Sequence, residues 1–218
     1  MPVEKTSPAR LIDHALLAPD LTHEQIIEGL VLARQKRCFA ACVHLADVPL
    51  ASEVLEGSST GVCAVVGFPL GRQTTLLKAK EAEEAFKKGA SELDMVLHIG
   101  NLKSGRYKEL QEEIQTVAGA TPALLKVILE TCYLTHEEKI TACKIAVAAG
   151  AKFVKTSTGF GSGGATIADV ALLRKTVGEN FGVKAAGGIA YLEVLEQMVE
   201  AGANRIGTSR TKEILKKI

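Results

Sequence analysis

Short apolar segments alternate with longer helical segments along the whole chain, and this alternation constrains the fold more than any other feature. The short segments contain β-branched residues, as buried strands do. Successive segments start roughly 20 to 30 residues apart, which is enough for one strand, one helix and short loops. We therefore predict strands at 11–16, 39–44, 62–68, 92–97, 123–129, 152–156, 182–186 and 204–208.

The segments between the predicted strands carry helix signals. Thr22 and Thr135 each precede Gln or Glu by three residues, which is the pattern of a capping box. Gly89, Gly150 and Gly202 are each followed by Ala, and glycine accepts the left-handed conformation that ends many helices. We predict helices after Thr22 and Thr135, and over 74–88, 166–175 and 192–201.

Eight strands that alternate with helices predict a mostly parallel sheet, because parallel neighbours need a crossover connection. An open doubly wound sheet and a closed barrel both fit this alternation, and eight units favour a (β/α)8 TIM barrel. A chain of 218 residues is near the small end of that α/β fold. No linker, low-complexity stretch or block of charge divides the chain, so we expect a single domain over residues 1–218.

Composition excludes several classes of protein. The chain has 26 Lys and Arg against 25 Asp and Glu, so it lacks the basic excess of a nucleic-acid binder. No apolar run approaches the roughly 18 residues of a membrane span, and residues 1–10 have no signal-peptide core. The five cysteines and five histidines are dispersed, without the spacing of a metal site. We expect a cytoplasmic protein without cofactor or metal.

Lysines inside predicted strands are the strongest local signal. Strands covered by helices are buried on both faces and should be apolar. Yet Lys126, Lys155 and Lys184 lie in successive strands, each 29 residues from the next, and Asp94 lies one strand earlier. We therefore expect these side chains side by side at one level of the barrel interior. A lysine that extends to the surface from a strand end explains one of them, but not three at equal spacing.

Clustered ammonium groups have a chemical use. A neighbouring cation and burial both disfavour the charged form of a lysine. A neutral amine can attack a carbonyl to form a Schiff base, which then accepts electrons while a carbon–carbon bond is made or broken. The pattern therefore predicts aldolase chemistry that needs no metal.

Glycine-rich loops follow the last predicted strands. Residues 158–166 follow the strand of Lys155, Gly187 and Gly188 follow that of Lys184, and Gly207 and Ser209 end the last strand. In barrels of this kind the loops after strands 7 and 8 often bind phosphate through backbone N–H groups. We therefore predict a phosphate site there. An alternative interpretation of residues 159–164 is a mobile lid over the site.

These segments resemble the deoxyribose-phosphate aldolase family, whose members are class I, Schiff-base aldolases. The resemblance runs nearly end to end and is carried by residues 11–14, 66–71, 92–96, 125–132, 153–161, 184–188 and 205–209. It implies a (β/α)8 barrel that cleaves 2-deoxy-D-ribose 5-phosphate to acetaldehyde and D-glyceraldehyde 3-phosphate. It also implies a small-molecule sugar phosphate as partner and a homo-oligomer, either a dimer or a tetramer.

The resemblance also implies roles for individual residues. Lys155 would form the Schiff base, and Lys184 would keep Lys155 neutral and assist proton transfer. Asp94 would join a proton relay, supported by Lys126 and Asp13. The phosphate would be held by Gly187, Gly188, Gly207 and Ser209. Cys42 is interpreted as a buried thiol beside the site, and His14 as a partner of Asp13.

Several positions depart from the family pattern. They bear on rate and aldehyde preference rather than on reaction type, and they are Ala15, His44, His98, Ala186 and Arg210. Two alternatives stay open. One is another Schiff-base sugar-phosphate aldolase. The other is a catalytically silent barrel that binds sugar phosphates, which the departures at Ala15 and Ala186 favour.

Overall fold

In the computed structural model, which describes residues 7–217, eight parallel strands close into a barrel. Residues 1–6 and Ile218, which the single-domain prediction includes, lie outside the described residues, as does part of the segment examined for a signal peptide. The strands are β1 (Ile12–Leu16), β2 (Ala40–Val43), β3 (Gly61–Val66), β4 (Glu92–Val96), β5 (Leu124–Ile128), β6 (Phe153–Lys155), β7 (Gly182–Ala186) and β8 (Arg205–Thr208).

Helices follow the strands and surround the barrel. They are α1 (His23–Gln35), α2 (Val48–Val54), α3 (Thr75–Lys87), α4 (Ile99–Lys103), α5 (Tyr107–Gly119), α6 (His136–Ala148), α7 (Ile167–Val177), α8 (Leu192–Glu200) and α9 (Thr211–Ile214). No helix in the described part of the chain is long and apolar enough to cross a membrane.

The barrel closes because every strand pairs in parallel with the next one along the chain and β8 pairs with β1. This confirms the predicted (β/α)8 barrel and excludes the open sheet. Each predicted strand is present, with ends within two residues of those observed. The purely local signals of a buried strand were therefore sufficient to locate all eight.

Helix ends form as the sequence predicts. Thr22 and Thr135 both complete their capping boxes. Gly89, Gly150 and Gly202 have φ values of 110°, 88° and 112°, which are unfavourable for other residues. The helices α2, α4, α5 and α9 were not predicted from the sequence. In α5 the buried Leu110, Ile114 and Val117 are spaced as one helical face, which is a signal for that helix.

The two faces of the strands differ in character. Successive strand residues point to opposite faces. Leu93 and Met95 of β4, and Leu125 and Val127 of β5, belong to the large apolar core that also includes helix residues. Burial of each such side chain stabilises the fold by roughly 1.5–3 kcal/mol. The apolar core therefore lies mainly between barrel and helices, which leaves the barrel interior free for polar groups.

The prediction that all three lysines share one level is wrong for Lys126. Lys155 pairs with Lys184 across β6 and β7, but Lys126 pairs with Phe153, two residues before Lys155. Equal spacing in the sequence does not set strand register, because the lengths of the intervening helix and loops also contribute. Lys126 is therefore out of register with Lys155 and lies beside its register partner Asp94 on β4.

Candidate active site

A cavity of about 1080 Å³ opens at the carboxyl ends of the strands. Lys155, Lys184 and Asp13 line its floor, and the loops after β6, β7 and β8 form part of its wall. A second cavity of about 830 Å³ lies at the opposite end, and none of the predicted site residues lines it. Active sites of (β/α)8 barrels lie at the carboxyl ends of the strands, so the first cavity is the candidate site.

Asp94 connects the three lysines. Its Oδ2 accepts hydrogen bonds from Lys155 Nζ at 2.7 Å and from Lys184 Nζ at 2.8 Å, and its Oδ1 accepts one from Lys126 Nζ at 2.9 Å. Burial alone would raise the pKa of Asp94, but the three ammonium groups hold that pKa well below its usual value. Asp94 is therefore a carboxylate that compensates several cations.

Lys184 and Lys126 each contact more than one carboxylate. Lys184 Nζ also donates to Asp13 Oδ2, and Lys126 Nζ lies 2.7 Å from Glu92 Oε2. Burial disfavours both ammonium groups, but the neighbouring carboxylates outweigh it and raise both pKa values. Both side chains therefore remain charged.

Lys155 has a different environment. In the part of the chain that the structure describes, Asp94 is the one carboxylate in ion-pair contact with it. Its side chain is also only 3% exposed, yet it lines the cavity. Of the three ammonium groups, Lys155 thus has the fewest partners and access to the space where a substrate would fit.

Two charged residues beneath the lysines were not predicted. Arg205 donates from Nη1 to Asp13 Oδ1 at 2.7 Å and to Glu92 Oε2 at 3.1 Å, and its guanidinium lies 3.3 Å from the centre of the Phe39 ring. Glu92 precedes Asp94 by two residues, so the period of a strand places both on one face. That period is the signal that could have found it. We call Asp13, Glu92, Asp94, Lys126, Lys155, Lys184 and Arg205 the inner charge cluster.

The loop after β6 is anchored at its start. Thr158 donates from its backbone N to Glu130 Oε1 at 3.1 Å and from its hydroxyl to Glu130 Oε2. Glu130 is buried and has a left-handed backbone, with φ of 56°. Phe160, further along the loop, is 47% exposed. Its ring packs edge-on against the Phe68 ring, with the ring centres 5.4 Å apart. Glu130 and Thr158 thus fix the part of the loop nearest Lys155.

The predicted phosphate residues meet at the cavity. Gly187 and Gly188 have φ values of 93° and 79°, and a Cβ on Gly187 would come within 2.9 Å of Gly164 Cα. A Cβ atom on Gly207 would come within 2.9 Å of the Cβ atom of Ala186. Backbone conformation therefore favours glycine at Gly187 and Gly188, and lack of space favours it at Gly187 and Gly207. Gly187, Gly188, Gly207 and the exposed Ser209 all line the cavity.

The departures from the family pattern have local partners. His44 Nε2 lies 3.1 Å from the carbonyl oxygen of Leu17, and His98 Nδ1 accepts from the backbone N of Asn101 at the start of α4. Arg210 donates to Glu213 at 3.3 Å. These side chains are engaged with the protein itself.

The interpretation of His14 as a partner of Asp13 is wrong. His14 Nδ1 lies 2.8 Å from Thr211 Oγ1, while Asp13 points into the barrel. Consecutive residues of a strand face opposite sides, so the two side chains cannot meet. Burial lowers the pKa of His14 to about 4, with Glu213 opposing the shift.

Cys42 is buried, as expected, and lies next to Cys63. Together with Asp94 these residues offer three possible metal-binding atoms within 4.8 Å of one another. Both oxygens of Asp94 already accept hydrogen bonds from ammonium groups, so a metal ion would have to displace them. The donor set thus fits an ion poorly, and the expectation that the protein uses no metal stays a prediction.

Comparison with known sequences identifies one family. The chain matches the description "DeoC/LacD family aldolase" over residues 14–217. It is 54% identical over 211 residues to a deoxyribose-phosphate aldolase of Caldanaerobacter subterraneus subsp. tengcongensis, covering 95% of this chain and 91% of that protein. It is 52% identical over 210 residues to one of Coprothermobacter proteolyticus, covering 96% of both.

Solved structures agree with this result. QR15, described as an aldolase, has a TM-score of 0.93 at 41% identity, over 97% of this chain and 95% of that chain. The deoxyribose phosphate aldolase of Aeropyrum pernix, described as a unique tetramer, has a TM-score of 0.90 at 31% identity, over 96% of this chain and 90% of that chain. Sequence and fold comparisons thus identify the same kind of protein.

Proposed function

Because the chain belongs to the DeoC/LacD family of aldolases, we propose that it reversibly cleaves 2-deoxy-D-ribose 5-phosphate to D-glyceraldehyde 3-phosphate and acetaldehyde through a Schiff base on Lys155. The observation that carries this proposal is the position of Lys155. Its amine lies at the floor of the cavity with one carboxylate partner, 2.7 Å away, beside a second lysine that is held as an ammonium.

The reaction needs one nucleophilic amine. The neutral Nζ of Lys155 adds to the C1 aldehyde of the open-chain sugar, and loss of one water gives a protonated Schiff base. Removal of the C3 hydroxyl proton then breaks the C2–C3 bond. Its electron pair moves to the Schiff-base nitrogen as an enamine forms, and glyceraldehyde 3-phosphate leaves. Protonation of C2 and addition of one water release acetaldehyde and restore the amine.

The neighbouring charged residues support these steps. Lys184 stays an ammonium, so it disfavours a second positive charge at Lys155 and can donate a proton as water leaves. Asp94, with its strongly lowered pKa, is a poor proton acceptor by itself, so a relay through it would run by way of water. Its main part is to hold the three lysines, while Lys126 and Asp13 hold Asp94 and Lys184 in place.

The phosphate of the substrate would bind at the upper wall of the cavity. Backbone N–H groups of Gly187, Gly188 and Gly207 and the hydroxyl of Ser209 can donate to its oxygens, as in other barrels. Arg210 lines the same cavity, where its guanidinium is paired with Glu213 at 3.3 Å.

Borohydride trapping tests the mechanism. The protein is mixed with deoxyribose 5-phosphate, reduced with borohydride and mapped by mass spectrometry of its peptides. We expect a stable adduct on Lys155, because reduction fixes the carbon–nitrogen bond of the Schiff base. An adduct on another residue, or none, would contradict the proposal.

Lys152 provides a matched control for this experiment. It lies three residues before Lys155 but is exposed, at the opposite end of the barrel. Lys152→Leu should trap aldehyde as the unmodified protein does, whereas Lys155→Leu should not. Equal loss in both variants would point to damage of the fold instead of loss of a nucleophile.

Donor and chelator assays separate the remaining alternatives. Use of acetaldehyde as donor in the synthetic direction supports the proposed substrate, and its refusal would favour another Schiff-base sugar-phosphate aldolase. A silent binding barrel would bind deoxyribose 5-phosphate without turnover. We also expect activity to survive EDTA, because the proposed steps use no metal.

Assembly and location are separate proposals. We propose a homo-oligomer, as a dimer or tetramer, supported by the tetramer described for the relative from Aeropyrum pernix. Light scattering coupled to size-exclusion chromatography would measure this directly. The cytoplasmic location stays a prediction, and cell fractionation would test it.

A further inference from the structure

The inner charge cluster extends below the residues that would touch substrate. Glu92 contacts Lys126 at 2.7 Å and Arg205 at 3.1 Å, and Arg205 contacts Asp13 at 2.7 Å. Asp13 and Lys126 in turn contact Lys184 and Asp94. Glu92 and Arg205 therefore form a second layer of charge under Lys155, coupled to it through unbroken ion pairs.

The charges of this cluster do not balance. Three carboxylates, of Asp13, Glu92 and Asp94, face four cationic side chains, of Lys126, Lys155, Lys184 and Arg205. All seven side chains are at most 9% exposed, so solvent compensates the excess positive charge poorly. Loss of one proton brings the formal charge of the cluster to zero.

Three of the four cations are held in their charged forms. Burial opposes the charged forms of Lys126, Lys184 and Arg205, yet their carboxylate partners raise all three pKa values. Burial also opposes the carboxylate of Asp13, but Lys184, Lys126 and Arg205 lower its pKa. The fourth cation, Lys155, has one carboxylate in ion-pair contact, which is Asp94.

We propose that Glu92 and Arg205 are positioning residues that set the pH range in which Lys155 is a neutral nucleophile. The inference rests on the proposed function, since it concerns the same amine. Arg205 contributes the positive charge that exceeds the three carboxylates, and its position is fixed by stacking on Phe39 and by two carboxylates. Glu92 acts in the opposite direction, because its negative charge limits that excess.

Three other titratable groups lie close to the cluster. Cys42 on β2 and Glu130 after β5 interact with Lys155, and Cys63 on β3 contacts Lys126 at 3.4 Å. A hydrogen bond with Cys63 lowers the pKa of Cys42, while burial raises the pKa values of Cys63 and Glu130. All three side chains remain in place in variants of Glu92 or Arg205. Such variants therefore measure the effect of the Glu92 and Arg205 charges alone.

The test measures how pH controls trapping at Lys155. The rate of borohydride trapping with deoxyribose 5-phosphate is recorded against pH for the full-length protein, Arg205→Met and Glu92→Gln. Removing the positive charge should move the midpoint of the acid limb to higher pH, and removing the negative charge should move it to lower pH. With an effective dielectric constant of about 20, one charge that acts through an intervening ion pair should shift each midpoint by about one pH unit.

Charge-conserving variants separate electrostatics from packing. Arg205→Lys and Glu92→Asp disturb the same contacts but keep the charge, so their midpoints should stay with that of the unmodified protein. If circular dichroism shows that Arg205→Met does not fold, the proposal is tested by the pH midpoints of Glu92→Gln and Glu92→Asp. A lower midpoint in Glu92→Gln but not in Glu92→Asp supports it, and equal midpoints contradict it. If Glu92 and Arg205 had only a structural role, the pH midpoints of Arg205→Met and Glu92→Gln would shift in the same direction or would not shift.

The two proposals fail in different ways. An unmodified protein that traps no sugar at any pH overturns the proposed function. An unmodified protein that traps normally, with neutral variants whose midpoints shift together or not at all, overturns only the role of Glu92 and Arg205.

Discussion

Lys78 on α3 and the lysines inside the barrel are buried to a similar degree, but their surroundings differ. Lys78 Nζ donates to Glu113 Oε1 at 2.7 Å and to the carbonyl oxygen of Val96 at 2.9 Å. The other carboxylate oxygen of Glu113 accepts from the backbone N of His98. One cation meets one carboxylate there, between barrel and helices, and neither residue lines either described cavity.

The inner charge cluster has the opposite arrangement. It contains more cations than carboxylates, and Lys155 and Lys184 border a cavity. Burial lowers the pKa of Lys78, with Glu113 opposing, whereas the carboxylates around Lys184 more than offset its burial. A buried lysine with matched charge thus serves the fold, whereas excess positive charge beside a cavity makes an amine available for chemistry.

Replacement of Lys155 should have the largest effect on activity and little on stability. Lys155→Leu removes the proposed nucleophile, so cleavage should fall by about 10⁴-fold or more. Asp94 keeps its contacts with Lys126 and Lys184 in this variant, so the free energy of unfolding should change little. Steady-state kinetics and urea denaturation measure the two quantities. If the variant still cleaves the substrate, Lys155 is a structural lysine, as Lys78 is.

Replacement of Lys78 should have the reverse effect. Lys78→Met leaves the Glu113 carboxylate and the Val96 carbonyl without their donor, and breaking a buried pair costs about 3–5 kcal/mol. The free energy of unfolding from urea titration should fall by that amount, while trapping at Lys155 persists in the folded protein. Lys80→Met, at an exposed position of the same helix, is the control and should change stability little. If both variants lose the same free energy of unfolding, the buried ion pair of Lys78 contributes no more than an exposed one.

His14 extends the comparison to a buried base that has no carboxylate in hydrogen-bond contact among residues 7–217. Its pKa is about 4 in the folded protein and 6.5 ordinarily, so the unfolded chain binds the proton first as pH falls. Stability from this group is therefore full above pH 6.5 and is lost as pH falls towards 4, by about 3 kcal/mol in total. Unfolding measured across this range in the unmodified protein and in His14→Gln gives the difference. Parallel curves would show that His14 contributes nothing.

An exposed lysine should show the smallest effect. Lys88 pairs with Glu84 at 2.8 Å on the surface, where solvent screens the charges. Lys88→Ala should change the melting temperature by about 1 °C or less. Calorimetry measures this change, and a large one would mean that burial does not distinguish the lysines of this chain.

Local patterns in the sequence located most of the fold. Apolar strands, capping boxes and helix-ending glycines depend on neighbouring residues only, and they predicted all eight strands and the helices that begin after Thr22 and Thr135. The helix α5 was not predicted because its sequence is largely polar, and its buried apolar face consists mainly of Leu110, Ile114 and Val117.

The candidate site was predicted in part. Charges within apolar strands identified Asp94, Lys126, Lys155 and Lys184, and the structure places all four in one network. Glu92 and Arg205 were not recognised, because each sits at the first residue of a strand, where a charged side chain is also typical of the surface.

The sequence alone predicts alternating strands and helices with lysines in successive strands, and eight units favour a barrel. The tertiary structure adds the closure of the sheet, the register that separates Lys126 from Lys155, the turn of His14 away from Asp13, and the contact of Arg205 with Asp13. Strand period and helix caps depend on a few adjacent residues. Register and charge balance depend on how distant strands align when the barrel closes, and therefore on all the intervening loops and helices.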